Sequence, residues 1–205
     1  MRKRLAVTIA AVALIAGCTE STGPPRAAPP NWAVAASSGV ERHILRQAAT
    51  APPLETYETR VWVVQGRRTR VQVDYVGGRN FLRLEFPADA LFQRPDGTRF
   101  KEGEGIEITL TIDPTRLLLY LEPSGLVFSD ESPARLNIWY GNADADLNRD
   151  GLVDGTDSTI EQSYLGMWYQ ASPGEPWETW PEDHIKYQKR FRTDLYHFSG
   201  YAVSW

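Results

Sequence analysis

"IEITLTIDPTRLLLYLEP", residues 106–123, decides the fold class. Ile106, Ile108, Leu110 and Ile112 alternate with Glu107, Thr109 and Thr111, which is the period of a strand with one face buried and one face in water. Asp113-Pro114 then favours a turn, because aspartate bonds its own backbone two residues on and proline cannot extend a ladder. A second apolar run, Leu117 to Leu121, follows at once. The same short-period pattern recurs outward in both directions. "RVWVVQGRRTRVQVDYV" (60–76) predicts a hairpin turning near Gly66, and "NFLRLEFPADAL" (80–91) a strand stopped by Pro87. "ARLNIWYG" (134–141), "YLGMWYQ" (164–170) and the long final run 184–205 supply further strands. About eight or nine strands at this spacing predict an all-β, antiparallel β-sandwich over residues 57–205, with no long helical pattern in competition.

Ahead of this domain the composition changes twice. Residues 1–17 join a basic start (Arg2, Lys3, Arg4) to an apolar run that is too short for a finished membrane span, and they predict an export signal. Residues 18–56 are rich in Pro, Ala, Ser and Thr and predict a tether, with a short helix near Val40 to Gln47. Cys18 is the single cysteine, so no internal disulfide can form. "LIAGC" (14–18) resembles the lipobox of bacterial lipoproteins. That resemblance implies a diacylated Cys18 as mature N-terminus and, with Thr19 rather than Asp next, a lipid-anchored protein of the outer membrane. Cleavage after residue 17 would remove three of the 22 basic residues and none of the 26 acidic ones, taking the net charge from −4 to about −7. Such a charge argues against nucleic acid as a partner and against binding to anionic headgroups without the acyl chains.

One acidic stretch interrupts the strands: "DADLNRDGLVDGTDSTIEQSY", residues 144–164. Calcium takes six to eight oxygens, which a twelve-residue loop can wrap around it when oxygen donors fall at alternate positions. Counted from Asp146, the expected slots hold Asp146, Asn148, Asp150, the Leu152 carbonyl, Asp154 and Asp157, with Gly151 at the sharp turn and Val153 placed to anchor the loop in apolar surroundings. Asp144 precedes the loop as a surface charge. The prediction is a calcium-binding loop and short helix (142–164), a structural clip between two strands that could be deleted and replaced by Asn-Gly without loss of the core.

Two further resemblances rest on these motifs. The order "FPADAL", "IEITLTI", "YLEPSGLVFSDESPARLNIWY" and "HFSGYAV" resembles the ZU-type β-sandwich shared by zonula occludens proteins, ankyrins and netrin receptors, which implies a module that recognises other proteins. "DLNRDGLVDGTDSTIEQSYL" (146–165) resembles a dockerin repeat, in its Asp157 where an EF-hand has Glu and in its apolar Ile160, Tyr164 and Leu165. Dockerins carry two repeats and this chain one, so calcium binding carries over and cohesin docking does not.

Little in the sequence points to an enzyme. His43, His184 and His197 show no metal-ligand spacing, and neither a phosphate loop nor a nucleophile elbow occurs. "HFS" (197–199) matches the self-cleavage motif of some ZU-type relatives, which implies Ser199 as nucleophile, His197 as general base and the Phe198-Ser199 bond as target, with Gly200 permitting a kink. The plainer reading puts Phe198 and Tyr201 in the core. Trp168, Trp177 and Trp180 form an aromatic edge that either stacks on sugar rings or packs under a turn. The expectation is a non-catalytic, calcium-stabilised binding or structural module whose partner is a protein or a glycan.

Overall fold

The computed structural model describes residues 43–205. The signal segment, Cys18 and most of the tether lie outside the described residues.

The described chain is an antiparallel β-sandwich with one short α-helix. Its elements in order are β1 (Glu58–Val64), β2 (Thr69–Tyr75), β3 (Arg79–Phe86), β4 (Leu91–Gln93), β5 (Gly105–Ile112), β6 (Leu118–Glu122), β7 (Val127–Phe128), β8 (Ala134–Trp139), α1 (Gly155–Ser163), β9 (Gly166–Gln170), β10 (Trp177–Trp180), β11 (Asp183–Ile185), β12 (Arg190–Leu195) and β13 (Gly200–Ser204). The thirteen strands exceed the expected eight or nine because β4, β7, β10 and β11 have only two to four residues each, too few to show a period. One sheet has six strands in the order β1-β5-β6-β13-β9-β10, the other five in the order β11-β12-β8-β3-β2, and β4-β7 is a separate ribbon.

The inward-facing alternate residues of both sheets meet in one core. Val63, Ile108, Leu110, Leu119, Leu121, Met167, Tyr201 and Val203 come from the six-stranded sheet, and Val71, Val73, Leu82, Leu84, Leu136, Ile138 and Phe191 from the five-stranded one. Phe86, Phe128 and Phe198 fill one end with tilted and edge-on ring contacts.

The stretch around Asp113-Pro114 folds as its sequence demands. β5 and β6 pair with Ile112 opposite Leu119. Asp113 Oδ1 accepts the amides of Thr115 and Arg116, both at 2.9 Å, while the Arg116 guanidinium closes on Oδ2 at 2.7 Å.

Residues 60–76, by contrast, are not a hairpin. β1 pairs with β5 and β2 with β3, so the chain changes sheets at the turn. The turn is bonded to other segments rather than to itself alone: the Gln65 amide donates to Glu104 O at 2.8 Å and the Gly66 amide to Ala88 O at 2.7 Å. Alternation requires only that Val63, Val71 and Val73 face the core, which two strands opposed across a sandwich satisfy as well as two strands side by side. The final run divides likewise, into β11, a 3-10 turn (Lys186–Gln188), β12 and β13, with a crossing between sheets at residues 196–199.

The boundary expected at residue 57 lies too far along the chain. Ile44, Leu45 and Leu54 are buried, the Leu45 amide donates to Val203 O at 2.9 Å, and Leu45 O accepts from Leu117 N at 2.8 Å. Arg46 and Gln47 make extended bridges to Arg116 and Ala143, so the helix expected up to Gln47 does not reach them.

Candidate functional site

β8 leaves the five-stranded sheet at Trp139, and the chain re-enters the six-stranded sheet at Gly166. The acidic loop and α1 therefore form the crossing at one end of the sandwich. Successive aspartates and an asparagine shape this loop by accepting nearby amide hydrogens. Asp146 accepts those of Asp150 at 3.2 Å and Gly151 at 2.8 Å, Asn148 Oδ1 that of Asp150 at 3.0 Å, and Asp150 Oδ1 that of Leu152 at 2.9 Å. The Asn148 amide nitrogen donates to Asp150 Oδ2 at 2.9 Å. Gly151 has φ +90°, the left-handed region that glycine enters without steric cost.

Asp154 and Asp157 close the loop and start the helix. Asp154 is the N-cap, accepting Thr156 N at 2.7 Å, and Asp157 Oδ2 answers by accepting Asp154 N at 2.9 Å, a reciprocal capping box. The other oxygen of Asp157 reaches back to the start of the loop, where it accepts the amides of Leu147 at 2.7 Å and Asn148 at 3.3 Å. These bonds, the Asp154 amide first among them, hold the Asp157 carboxyl below its usual titration range.

The segment is woven into the protein body. Leu147 packs against the core and its carbonyl accepts Trp205 Nε1 at 3.2 Å. Ile160 and Leu165 are buried, and the Arg149 guanidinium donates to Ile44 O at 2.8 Å. Tyr164, Leu152 and Val153 point outward, Val153 at 69% exposure, so position eight of the loop is not the apolar anchor expected of it. Leu147 takes that part instead. A cavity of about 250 Å³ lies between loop, helix and sheet, lined by Tyr140, Leu147, Val153, Asp157, Glu161 and Lys189.

The donor set suits a hard cation, being carboxylates, an amide oxygen and a backbone carbonyl. An oxygen that accepts one N–H keeps a second lone pair for an ion. Among the described residues, however, no three His, Cys, Asp or Glu side chains converge on one point, since the carboxylates are spread over the loop's amides.

Beside the loop stands a polar network that sequence reading missed. The buried Tyr140 hydroxyl lies 2.6 Å from His184 Nε2 and donates to Glu161 Oε1 at 3.1 Å, and Lys189 Nζ approaches the same carboxylate at 3.5 Å. A phenol has one hydrogen; with that hydrogen on Glu161, His184 must donate from Nε2. Burial raises the Tyr140 hydroxyl and lowers the His184 imidazole relative to their ordinary values.

The remaining candidates lie elsewhere. His197 packs its ring against Tyr169 at 4.7 Å and Trp180 at 5.2 Å, and its carbonyl accepts the Tyr201 hydroxyl at 2.7 Å. Ser199 Oγ is buried and makes no hydrogen bond of ordinary length, although it is near enough to Tyr201 to influence that hydroxyl. Gly200 has no left-handed φ, so it does not supply a kink; a Cβ there would meet Tyr120 Cε1 at 3.2 Å, and the glycine makes room for that ring. Trp177 is buried at 4% exposure, Trp180 is packed among Tyr169, His197 and Tyr201, and Trp168 donates to Ser204 O at 3.3 Å.

No family model, curated protein or solved structure matches this chain. No helix of the described residues is long and apolar enough to cross a membrane.

Proposed function

We propose that this protein is a lipid-anchored module of the cell envelope, attached through Cys18, whose β-sandwich is clipped by calcium and serves recognition rather than catalysis. The observation that carries this reading is the closure of the acidic loop. Its last slot, Asp157, accepts amide hydrogens from Leu147 and Asn148 at the loop's beginning, so the chain is already wound back on itself as a cation-wrapping loop must be.

The ligands would be Asp146, Asn148, Asp150, the Leu152 carbonyl, Asp154 and Asp157. A bound ion would supply charge neutralisation there and nothing catalytic. Because the loop bridges the two sheets, ordering it would brace one end of the sandwich. The recognised partner would be a protein or a glycan, since the acidic chain suits neither nucleic acid nor a bare anionic membrane.

The test is the thermal melt of the full chain in millimolar calcium and in chelator. Binding to the folded state alone raises the midpoint, and Asp146→Ala abolishes the rise. Coincident melts for the unaltered chain would sink the calcium reading.

A further inference from the structure

The outer face of the five-stranded sheet carries an arrangement with no role in the clip. Across its central strands, the residues that alternate with the core positions are Arg83 and Glu85 on β3, Arg135, Asn137 and Trp139 on β8, and Arg190, Arg192 and Asp194 on β12. Register places Arg190 directly opposite Trp139, and both Arg83 and Arg192 opposite Asn137.

Most of the charges on this face are matched. Arg70 pairs with Glu85 at 2.9 Å, Arg135 with Asp194 at 3.2 Å, and Arg192 Nε with Asp183 at 3.0 Å. Arg83 and Arg190 differ. Among the described residues no carboxylate pairs with either; their guanidinium carbons sit 5.6 Å and 5.4 Å from the ring centre of Trp139, between them. The Nε atom of each is buried without a hydrogen-bond acceptor. Two cations are thus held in place by one indole while part of their hydrogen-bonding capacity goes unused, in a chain whose net charge is negative.

Beside the Trp139 ring a cavity of about 320 Å³ opens, lined by Arg79, Asn80, Trp139, Asn142 and Gln188. Amide side chains offer a donor and an acceptor each, which suits hydroxyl groups, and guanidinium forks suit carboxylates. Arg83 and Arg190 lie on strands two apart, whose backbones are roughly 10 Å from each other, and both guanidinium groups gather at the one Trp139 ring.

We propose that this face binds an acidic polysaccharide, a sugar chain bearing carboxylates, with Arg83 and Arg190 taking successive carboxylates and the amide-lined cavity taking sugar hydroxyls. Two free arginines match a ligand of low charge density better than a polyphosphate. Both arginines sit where their strands are paired on either side, so no free backbone edge lies beside them to take an extended peptide. The inference rests on the reading of the sandwich as a recognition module and is independent of the calcium clip.

The experiment is calorimetric titration of the full chain, solubilised in detergent, with trigalacturonate and with its fully methyl-esterified form. The acid should bind and the ester should bind at least about tenfold more weakly, because esterification removes the charge-assisted bonds. Arg83→Gln with Arg190→Gln should weaken the acid by about tenfold or more, and the Lys replacements should weaken it too, since an ammonium keeps the charge but loses the planar fork. Arg135→Gln, on the same face but already paired, should stay within about twofold. If the Gln pair fails to fold, the Lys pair and the acid-to-ester comparison decide. Equal affinity for acid and ester, no heat at about 10 mM ligand, unchanged binding in the Lys and Gln variants, or equal binding of poly-glutamate would overturn the proposal. The calcium-dependent melt shift, recorded on the same samples, reports separately on the clip.

Discussion

Tyr120 and Gly200 are direct partners across the β6-β13 ladder, and a Cβ at position 200 would stand 3.2 Å from the Tyr120 Cε1 atom. Gly200→Ala should therefore cost about 1–3 kcal/mol, in the range of overpacking in a tight core. Tyr120→Leu in the same background should recover part of the loss. Denaturant melts of the four proteins in this double-mutant cycle measure the coupling, and strictly additive changes would show that the ring does not need the glycine.

Asp157 predicts an acid-sensitive loop. Its folded carboxyl titrates below the ordinary value of 3.8, so it contributes stability above that value, and the contribution is lost as pH falls below 3.8 through the depressed folded value. Hydrogen exchange at the amides of Leu147, Asn148 and Asp154 should accelerate in Asp157→Ala while core amides of β5 and β6 remain protected. Uniform acceleration across the sandwich would mean that the loop cannot open separately.

The Tyr140 network has a different pH signature. His184 titrates below its ordinary 6.5 in the folded protein, so the unfolded chain binds the proton more readily and stability falls as pH drops below about 6.5. His184→Gln should flatten that slope between pH 7 and pH 5. Tyr140→Phe should cost about 1–2 kcal/mol through the two lost hydrogen bonds and the acceptor left behind. A slope unchanged in His184→Gln would move the effect to another group.

Excising residues 144–163 and joining the ends by Asn-Gly should fail to give a folded protein. Counting the added Asn-Gly, eight residues would remain between β8 and β9, enough to cross the roughly 10 Å between the sheets, so the failure lies in packing: the Arg149 bond to Ile44 O and the Leu147 carbonyl that holds Trp205 would go. Leu147 and Ile160 would be lost with the segment as well. A soluble, cooperatively melting deletion protein would refute this.

The strand pair around Asp113-Pro114 was legible because alternation, turn chemistry and pairing are all local there. Residues 60–76 show the limit of the same signal: valines at every second position identify a buried face, while the choice of β5 for β1 and β3 for β2 depends on contacts far along the chain. The acidic spacing from Asp146 to Asp157 marked a loop with a short helix behind it, yet Leu147 rather than Val153 faces the core, because the orientation of the loop is fixed by Trp205 and Ile44. Arg83, Trp139 and Arg190 each sit at an outward position that alternation alone identifies. Their meeting required knowing that β3, β8 and β12 are neighbours.

The place of β13 bears on how the chain can be made. In the six-stranded sheet β13 separates β1-β5-β6 from β9-β10, pairing with β6 on one side and β9 on the other. Until residues 200–204 have left the ribosome, and the secretion channel if the chain is exported, those two groups of strands have nothing to join them and the open edges of β6 and β9 stay exposed. Assembly of this sheet must therefore wait for β13 rather than proceed strand by strand, and a holding chaperone would have its work concentrated on those two edges.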